Sequence, residues 1–253
     1  MYKYGELIEN LVVSNLKTKY SSSVLGFAWS MLSPLFMMAV LYAVFNNFFN
    51  NRQENFVIYL LIGLLTWRMF TIGTSSAMHS IVKRKSLVTK IYIPREILTL
   101  SDVLSSMISS IFEFIVFIPF MVIFGTGIHI SILNLMFIPV HMIYFLIIYG
   151  LGLILASLYV SYRDLDQIWE VIVQVGFFAT PIMYPISIVP EKYMDLYMLN
   201  PVTRLIVMYR DIFLYGIVPN FSDVIFVLTF GVALFTIGTL VFKRLSRRFA
   251  EEV

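Results

Sequence analysis

The residues best placed for chemistry in this sequence are two ionisable side chains inside long apolar runs. Arg68 lies near the middle of one run, and Glu113 lies well inside the next. Charged groups at such depth in a membrane are costly, so they pair with each other or face a watery interior. When positions are counted from the ends of the two runs that lie on the same side of the membrane, Arg68 and Glu113 differ by about four positions. This corresponds to roughly 6 Å along a helix. An arginine can span that distance, whereas Asp102 lies nearer the end of its run and is a poorer partner.

Other polar residues extend these two positions into stripes along both runs. The stripes are Arg68, Thr71 and Ser75 in the first run, and Asp102, Ser106, Ser109, Ser110 and Glu113 in the second. A hydrogen-bonded clamp between two helices is one interpretation. A polar wall of a transport path is the other, and both can hold at once.

Aromatic side chains accompany these stripes and indicate what such a path would carry. Trp67 directly precedes Arg68 in the middle of its run, unlike the aromatics that form belts at membrane interfaces. Aromatic faces in a polar-lined channel suit sugars, whose C–H surfaces stack on rings while their hydroxyls find polar groups. The predicted substrate path comprises Trp67, Arg68, Thr71, Ser75, Ser109, Glu113, Tyr42 and Phe45.

Several kinds of chemistry are excluded by what the sequence lacks. It has no cysteine, no G-x-x-x-x-G-K-[ST] stretch for ATP, no H-E-x-x-H and no G-x-S-x-G. Its three histidines have no metal-ligand spacing. A membrane-embedded transferase would need carboxylates crowded at one face, but Asp164, Asp166 and Glu170 fit the start of a helix better. We therefore predict no catalytic residue, metal or cofactor in this chain.

The elements that must position these residues are membrane-spanning helices. The chain is 59% hydrophobic and 13% charged, too few charges to coat a water-soluble core. Apolar runs of spanning length lie at 25–49, 56–78, 97–124, 132–160, 168–188 and 221–242. They show no alternation of the kind that barrel strands require. An all-α integral membrane protein with six transmembrane helices is predicted, and Pro181 and Pro185 should kink or end the fifth.

The distribution of lysine and arginine predicts the orientation. Thirteen lie before the first span, between spans two and three, between spans four and five, and after the sixth, against four in the opposite loops. The positive-inside rule gives the first set to the cytoplasm, so both termini are predicted to be cytoplasmic.

Three segments between the spans carry further expectations. Apolar positions 7, 8, 11 and 12 predict an N-terminal amphipathic helix in the membrane interface, or else a solvated helix packed on another subunit. Segment 81–95 mixes basic and apolar residues, which suits either a partner-docking helix or a solvated basic loop. The long segment 187–220 is external but rich in Tyr, Met, Leu and Ile, which predicts short helices dipping back onto protein.

Motifs in order across nearly the whole chain resemble type-2 ABC exporter permeases, in the branch that exports polysaccharides and polyol phosphates. They are LKTKY at 16–20, SVLGFAW at 23–29, SPL at 33–35, YRDL at 162–165, TPIMY at 180–184, Asn200-Pro201 and Tyr209-Arg210. One departure is Ser14-Asn15, where the family often has an Arg-Asp pair.

The resemblance implies a half-transporter: two copies form a channel and recruit two separate ATP-binding subunits, which carry the ATP and magnesium. The implied substrate is a lipid-linked polysaccharide such as O-antigen, capsule or teichoic acid. The implied ATPase-coupling residues are Lys83, Arg84, Lys85, Lys90, Tyr92, Pro94 and Arg95. The implied gate residues are Lys17, Lys19, Tyr20, Trp29, Tyr193 and Tyr197.

The implied organisation is one permease domain over 1–253, with an interface helix at 1–22, six spans within 25–242 and a cytoplasmic tail at 243–253. A permease of the same fold that exports a small hydrophobic drug-like molecule is the alternative. That alternative predicts fewer aromatics along the path and no interfacial N-terminal helix.

Overall fold

The computed structural model describes residues 4–21, 27–48, 54–90, 93–125 and 131–249, and the regular elements in these ranges are helical. The α-helices are α1 Gly5–Ser21, α2 Phe27–Phe48, α3 Phe56–His79, α4 Lys85–Lys90, α5 Glu96–Phe124, α6 Phe137–Ser161, α7 Leu165–Phe178, α8 Glu191–Tyr197, α9 Pro201–Arg210 and α10 Phe221–Leu245. Short 3-10 turns at Val82–Arg84, Ile132–Met136, Ile186–Ile188 and Ser246–Arg248, and a π turn at Asp211–Tyr215, complete them.

Four of the described helical segments are long and apolar enough to cross a membrane: Phe56–His79, Glu96–Phe124, Ile132–Ser161 and Phe221–Leu245. Their bounds match four of the predicted runs to within three residues. Helices suit lipid because each backbone N–H and C=O finds its partner inside the same segment. The prediction of an all-α membrane protein is therefore confirmed.

The fifth predicted run, 168–188, is cut short ahead of its prolines, as expected. α7 ends at Phe178 and is followed by turns and the 3-10 turn Ile186–Ile188. Pro181 cannot donate a backbone hydrogen bond and disfavours helix in the residue before it, so the helix stops just short of it. At 1.5 Å per residue, α7 is about 21 Å long, which is shorter than the hydrocarbon core.

α3 forms the centre of the bundle and packs against α2, α5, α6, α7 and α9. It is buried along most of its length. α6 and α10 form the closest pair, because a Cβ atom at Gly238 would collide with the carbonyl oxygen of Gly150. Small residues at such crossings let two backbones approach, which is how helices associate without a hydrophobic driving force.

α1 lies along the outside of α5. Its predicted apolar stripe is the more buried side of the helix, with Val12 buried and Glu6, Glu9 and Asn10 exposed. α1, α4, the end of α3, the start of α5 and the end of α10 together make what we call the basic end of the bundle. The opposite end carries α8, α9 and the start of α3.

The segment between α7 and α10 folds into short helices that pack on protein, as the sequence predicts. Asn200 caps α9 by accepting from the Val202 N–H at 2.9 Å, and Pro201 takes the first helical position, where no N–H is needed. Leu205, Ile206 and Tyr209 are fully buried among α3, α6 and α10. Gly216, at φ 64°, ends the π turn in the left-handed conformation that glycine tolerates.

Candidate functional site

The predicted pairing of Arg68 with Glu113 is confirmed. Arg68 Nε donates to Glu113 Oε1 at 3.2 Å, and its Nη1 lies 3.4 Å from Ser33 Oγ on α2. The Glu113 side chain is 3% exposed and the Arg68 side chain 24% exposed. The pair therefore joins α2, α3 and α5 while leaving the guanidinium open to the surroundings.

The polar stripe on α5 is almost wholly buried. The hydroxyls of Ser105, Ser106 and Ser109 donate to helix carbonyl oxygens one turn back, at 2.6, 3.0 and 2.9 Å. Ser109 Oγ also accepts from the Tyr20 hydroxyl of α1 at 2.9 Å. The stripe thus packs against α1, and the hydroxyl protons of these three serines are already used.

Arg84 forms a three-residue clamp with Asp102 and Asn15. Its guanidinium donates to Asp102 Oδ1 at 2.7 Å and to Oδ2 at 3.0 Å, a bidentate arrangement, and to Asn15 Oδ1 at 2.6 Å. The Asn15 amide donates to Asp102 Oδ1 at 2.6 Å. Asp102 is therefore the partner of Arg84 rather than of Arg68, and one cluster ties α1, the turn before α4 and α5 together.

A polar cleft of about 430 Å³ lies beside this clamp, between α1, α3 and α5. Its basic residues are Lys19, Lys83 and His79, and hydroxyls from α3 and α5 line its walls. Two predicted path residues, Ser75 and Ser109, belong to it, together with the predicted gate residue Lys19. Sequence reasoning placed these residues in separate roles because it could not see that α1 folds onto α5.

His79 links the end of α3 to the start of α7. Its Nδ1 faces the Ser75 carbonyl oxygen at 2.7 Å, and its Nε2 faces Asp166 Oδ1 at 3.2 Å. Asp164 and Asp166 lie at the start of α7, as predicted.

The predicted coupling residues surround the short α4. Lys83 and Lys85 are exposed, as is Pro94. Arg95 donates to the Ser246 carbonyl oxygen and lies 5.7 Å from the centre of the Phe249 ring, which joins α5 to the end of α10. Tyr92 and the side chains of Lys90 and Trp29 lie outside the residues that the structure describes.

The predicted aromatic path residues lie apart from the polar pair. Trp67 is 8% exposed and packs against Gly176 of α7, with Phe70 and Phe177 at ring-centre distances of 5.3 and 6.3 Å. Tyr42 and Phe45 lie near Phe56, at 6.4 and 6.1 Å. Thr71 donates to the Trp67 carbonyl oxygen at 3.1 Å. Within the single chain, Trp67 is a packing residue between α3 and α7.

The opposite end contains a buried arginine, Arg210, which the sequence indicated as an external charge and as part of the Tyr209-Arg210 motif. Arg210, 3% exposed, donates from Nη2 to the carbonyl oxygens of Tyr59 and Ile182 at 3.3 and 3.1 Å. Its guanidinium lies 3.3 Å from the centre of the Tyr59 ring, a cation–π contact. The available signal was the Asn200-Pro201 helix start, which places Arg210 in the last turn of a short helix.

Tyrosines lie near Arg210, and Asp211 and Asp223 lie at the same end of the bundle. Of the two predicted gate tyrosines at this end, Tyr193 is exposed, and the Tyr197 hydroxyl lies 2.9 Å from that of Tyr184. Burial and this hydrogen bond raise the pKa of Tyr197. Burial and the nearby Asp223 raise the pKa of Asp211 to about 6. Asp223 itself pairs with Arg204, whose guanidinium lies over Phe226.

A bundle of long apolar helices, with its charges paired inside or gathered at its ends, defines a multi-pass membrane protein. The chain belongs to the ABC-2 type transporter family, whose model matches residues 6–214. It is similar to two proteins of Klebsiella pneumoniae named O-antigen export system permease protein RfbA, at 27% and 28% identity over 99% of this chain and 97% of each relative. A Myxococcus xanthus protein of the same name is 28% identical over 100% of this chain and 97% of its own.

Proposed function

We propose that this chain is the permease subunit of an ATP-driven exporter of a lipid-linked polysaccharide of the O-antigen type. The observation that carries the proposal is the similarity to O-antigen export permeases over 97% of their length. The paired charge inside the bundle supports it, since Arg68 and Glu113 supply a polar position at membrane depth.

In this proposal the chain crosses the cytoplasmic membrane of a prokaryote six times as one domain over 1–253. α2 and α7 supply the two spans beyond the four long helices. α7 is short, and the turns after it complete the crossing by packing on protein. The basic end faces the cytoplasm, together with both termini, because the excess of lysine and arginine lies there.

The proposed assembly holds two copies of this chain and two ATP-binding subunits. The sequence has no phosphate-binding loop for ATP, so hydrolysis, with ATP and magnesium, is assigned to the partner subunits. The exposed residues around α4, with Arg84 and Arg95 behind them, dock that partner. The short α8 and α9, with Tyr193 and Tyr197, form the external gate, and α1, with Lys17, Lys19 and Tyr20, the internal one.

Deleting the gene in its host tests the proposal. Loss of surface glycan, with lipid-linked glycan accumulating inside the cell, is expected, and the wild-type gene on a plasmid should restore export. A chain carrying a charge reversal at Glu113→Lys should fail to do so although it reaches the membrane. Unchanged surface glycan in the deletion strain would contradict the proposal. Raised sensitivity to small hydrophobic drugs instead would favour the alternative substrate class.

A further inference from the structure

The polar cleft between α1, α3 and α5 has the size and charge of a ligand site. Its volume of about 430 Å³ lies within the roughly 300–1,000 Å³ of small-molecule sites. Lys19 and Lys83 line it, and neither makes an ion pair within the ranges that the structure describes. Asp102 also lines it, but Arg84 and Asn15 already engage that carboxylate. The cleft therefore carries net positive charge and favours an anion.

The α5 wall of the cleft presents hydrogen-bond acceptors rather than donors. Ser105, Ser106 and Ser109 each spend their hydroxyl proton on a helix carbonyl oxygen, which leaves only lone pairs facing outward. The Oγ atoms of Ser105 and Ser109 each already accept one hydrogen bond, from the Asn15 amide and the Tyr20 hydroxyl respectively. A ligand that suits this wall brings hydroxyl donors of its own.

Apolar surface completes the cleft. Leu16 of α1 and Ile72 of α3 line it beside the serines. A sugar offers both kinds of surface, since its hydroxyls donate and its C–H faces are apolar. A phosphate group attached to that sugar would supply the anion that the two lysines lack.

We infer that the cleft binds the junction of a lipid-linked glycan, in which a phosphate or diphosphate ester joins the first sugar to the lipid. Lys19 and Lys83 hold the phosphate, and the serines of α5 accept from the sugar hydroxyls. The inference rests on the proposed function and assigns where that substrate is first held. Ser75 and Ile72 line the cleft on α3, and Arg68 of the Arg68–Glu113 pair follows Ile72 one helical turn farther along the same face, outside the cleft.

Binding to the purified complex tests the inference. The permease with its ATP-binding subunit is placed in nanodiscs of neutral lipid and titrated with a radiolabelled polyprenyl diphosphate N-acetylhexosamine. The double variant Lys19→Gln and Lys83→Gln should bind the probe about 30–100-fold more weakly, because two charge-assisted contacts are lost. The matched control is Lys243→Gln with Arg244→Gln, two exposed charges at the same end outside the cleft. The control should bind within about twofold of the wild type.

Competition separates the possible sources of the phosphate. Excess unlabelled sugar 1-phosphate should displace the probe, and phosphatidylglycerol at the same concentration should not. Equal displacement by phosphatidylglycerol would overturn the inference in favour of a general lipid-headgroup site. Equal weakening in both double variants, or unchanged binding in the lysine variant, would also overturn it. Because binding needs no transport, a wild-type complex that binds the probe but exports no glycan would defeat only the proposed function.

Discussion

At the basic end, Arg84 donates to both carboxylate oxygens of Asp102, whereas at the opposite end Arg210 donates to two backbone carbonyl oxygens and lies on the ring of Tyr59. The first guanidinium is matched by a charge and lies beside an open cleft. The second guanidinium is stabilised by the carbonyl dipoles and by the Tyr59 ring, and it is tightly packed. The basic end therefore holds a charge-matched arginine beside a cleft, and the opposite end holds an arginine without a carboxylate partner in tight packing.

The largest expected effect comes from breaking the charge-matched site. Arg84→Met should lower the free energy of unfolding by about 3–5 kcal/mol, because it leaves the Asp102 carboxylate buried without its cation. Thermal unfolding in detergent measures the change. The double variant Arg84→Met with Asp102→Leu should recover most of the loss, since no charge is then stranded. A single variant as stable as the wild type would show that the clamp does not hold this end together.

Removing the other buried arginine should cost less. Arg210→Met loses charge-assisted hydrogen bonds and the ring contact, an effect of about 1–3 kcal/mol, but strands no carboxylate. The same unfolding assay applies. Arg210→Lys is the matched control: it keeps the charge but not the planar group, so it should recover only part of the loss. An Arg210→Met chain less stable than Arg84→Met would reverse the comparison.

A smaller effect is expected where this chain departs from the family pattern. Asn15→Asp would place a second carboxylate beside Asp102, with Arg84 as their shared cation. The neighbouring carboxylate raises the pKa of the introduced acid, so the variant should lose about 1–2 kcal/mol at pH 7 and regain it on acidification. Asn15→Ala is the control, and its deficit should not depend on pH. A deficit in Asn15→Asp that is constant from pH 5 to 8 would count against this account.

The smallest expected effect is a pH dependence at the opposite end. The pKa of Asp211 is raised from 3.8 to about 6, so its stabilising contribution is full below pH about 4 and is lost as the pH rises through about 6. Because the side chain is only half-buried, the loss should be about 1 kcal/mol or less. In the Asp211→Asn variant, the melting temperature should depend less on pH between pH 5 and 7 than in the wild type. If the melting temperatures of the wild type and of Asp211→Asn depend equally on pH, the dependence arises from other groups.

Periodicity and composition were enough to predict the four long apolar helices and the pairing of the two charges deep inside them. Arg68 and Glu113 could be paired from the sequence because both lie in regular helices, where distance along the axis follows from residue number. Residues that meet only through tertiary packing could not be placed. Nothing local to Asn15 says that α1 lies against α5. The inward-dipping helices of segment 187–220 were predicted, but not that they would bury Arg210. The end of α7 was predictable from Pro181, because a proline disfavours helix just before it.

We expect the two ends of the bundle to lie on opposite sides of the membrane, and cysteine labelling tests this expectation most directly. The native chain has no cysteine, so single substitutions at the exposed residues Ser86 at the basic end and Glu191 at the opposite end report cleanly. A membrane-impermeant maleimide should label Ser86→Cys only in inside-out vesicles and Glu191→Cys only in cells with a permeabilised outer envelope. Labelling of both from the same side would contradict the account.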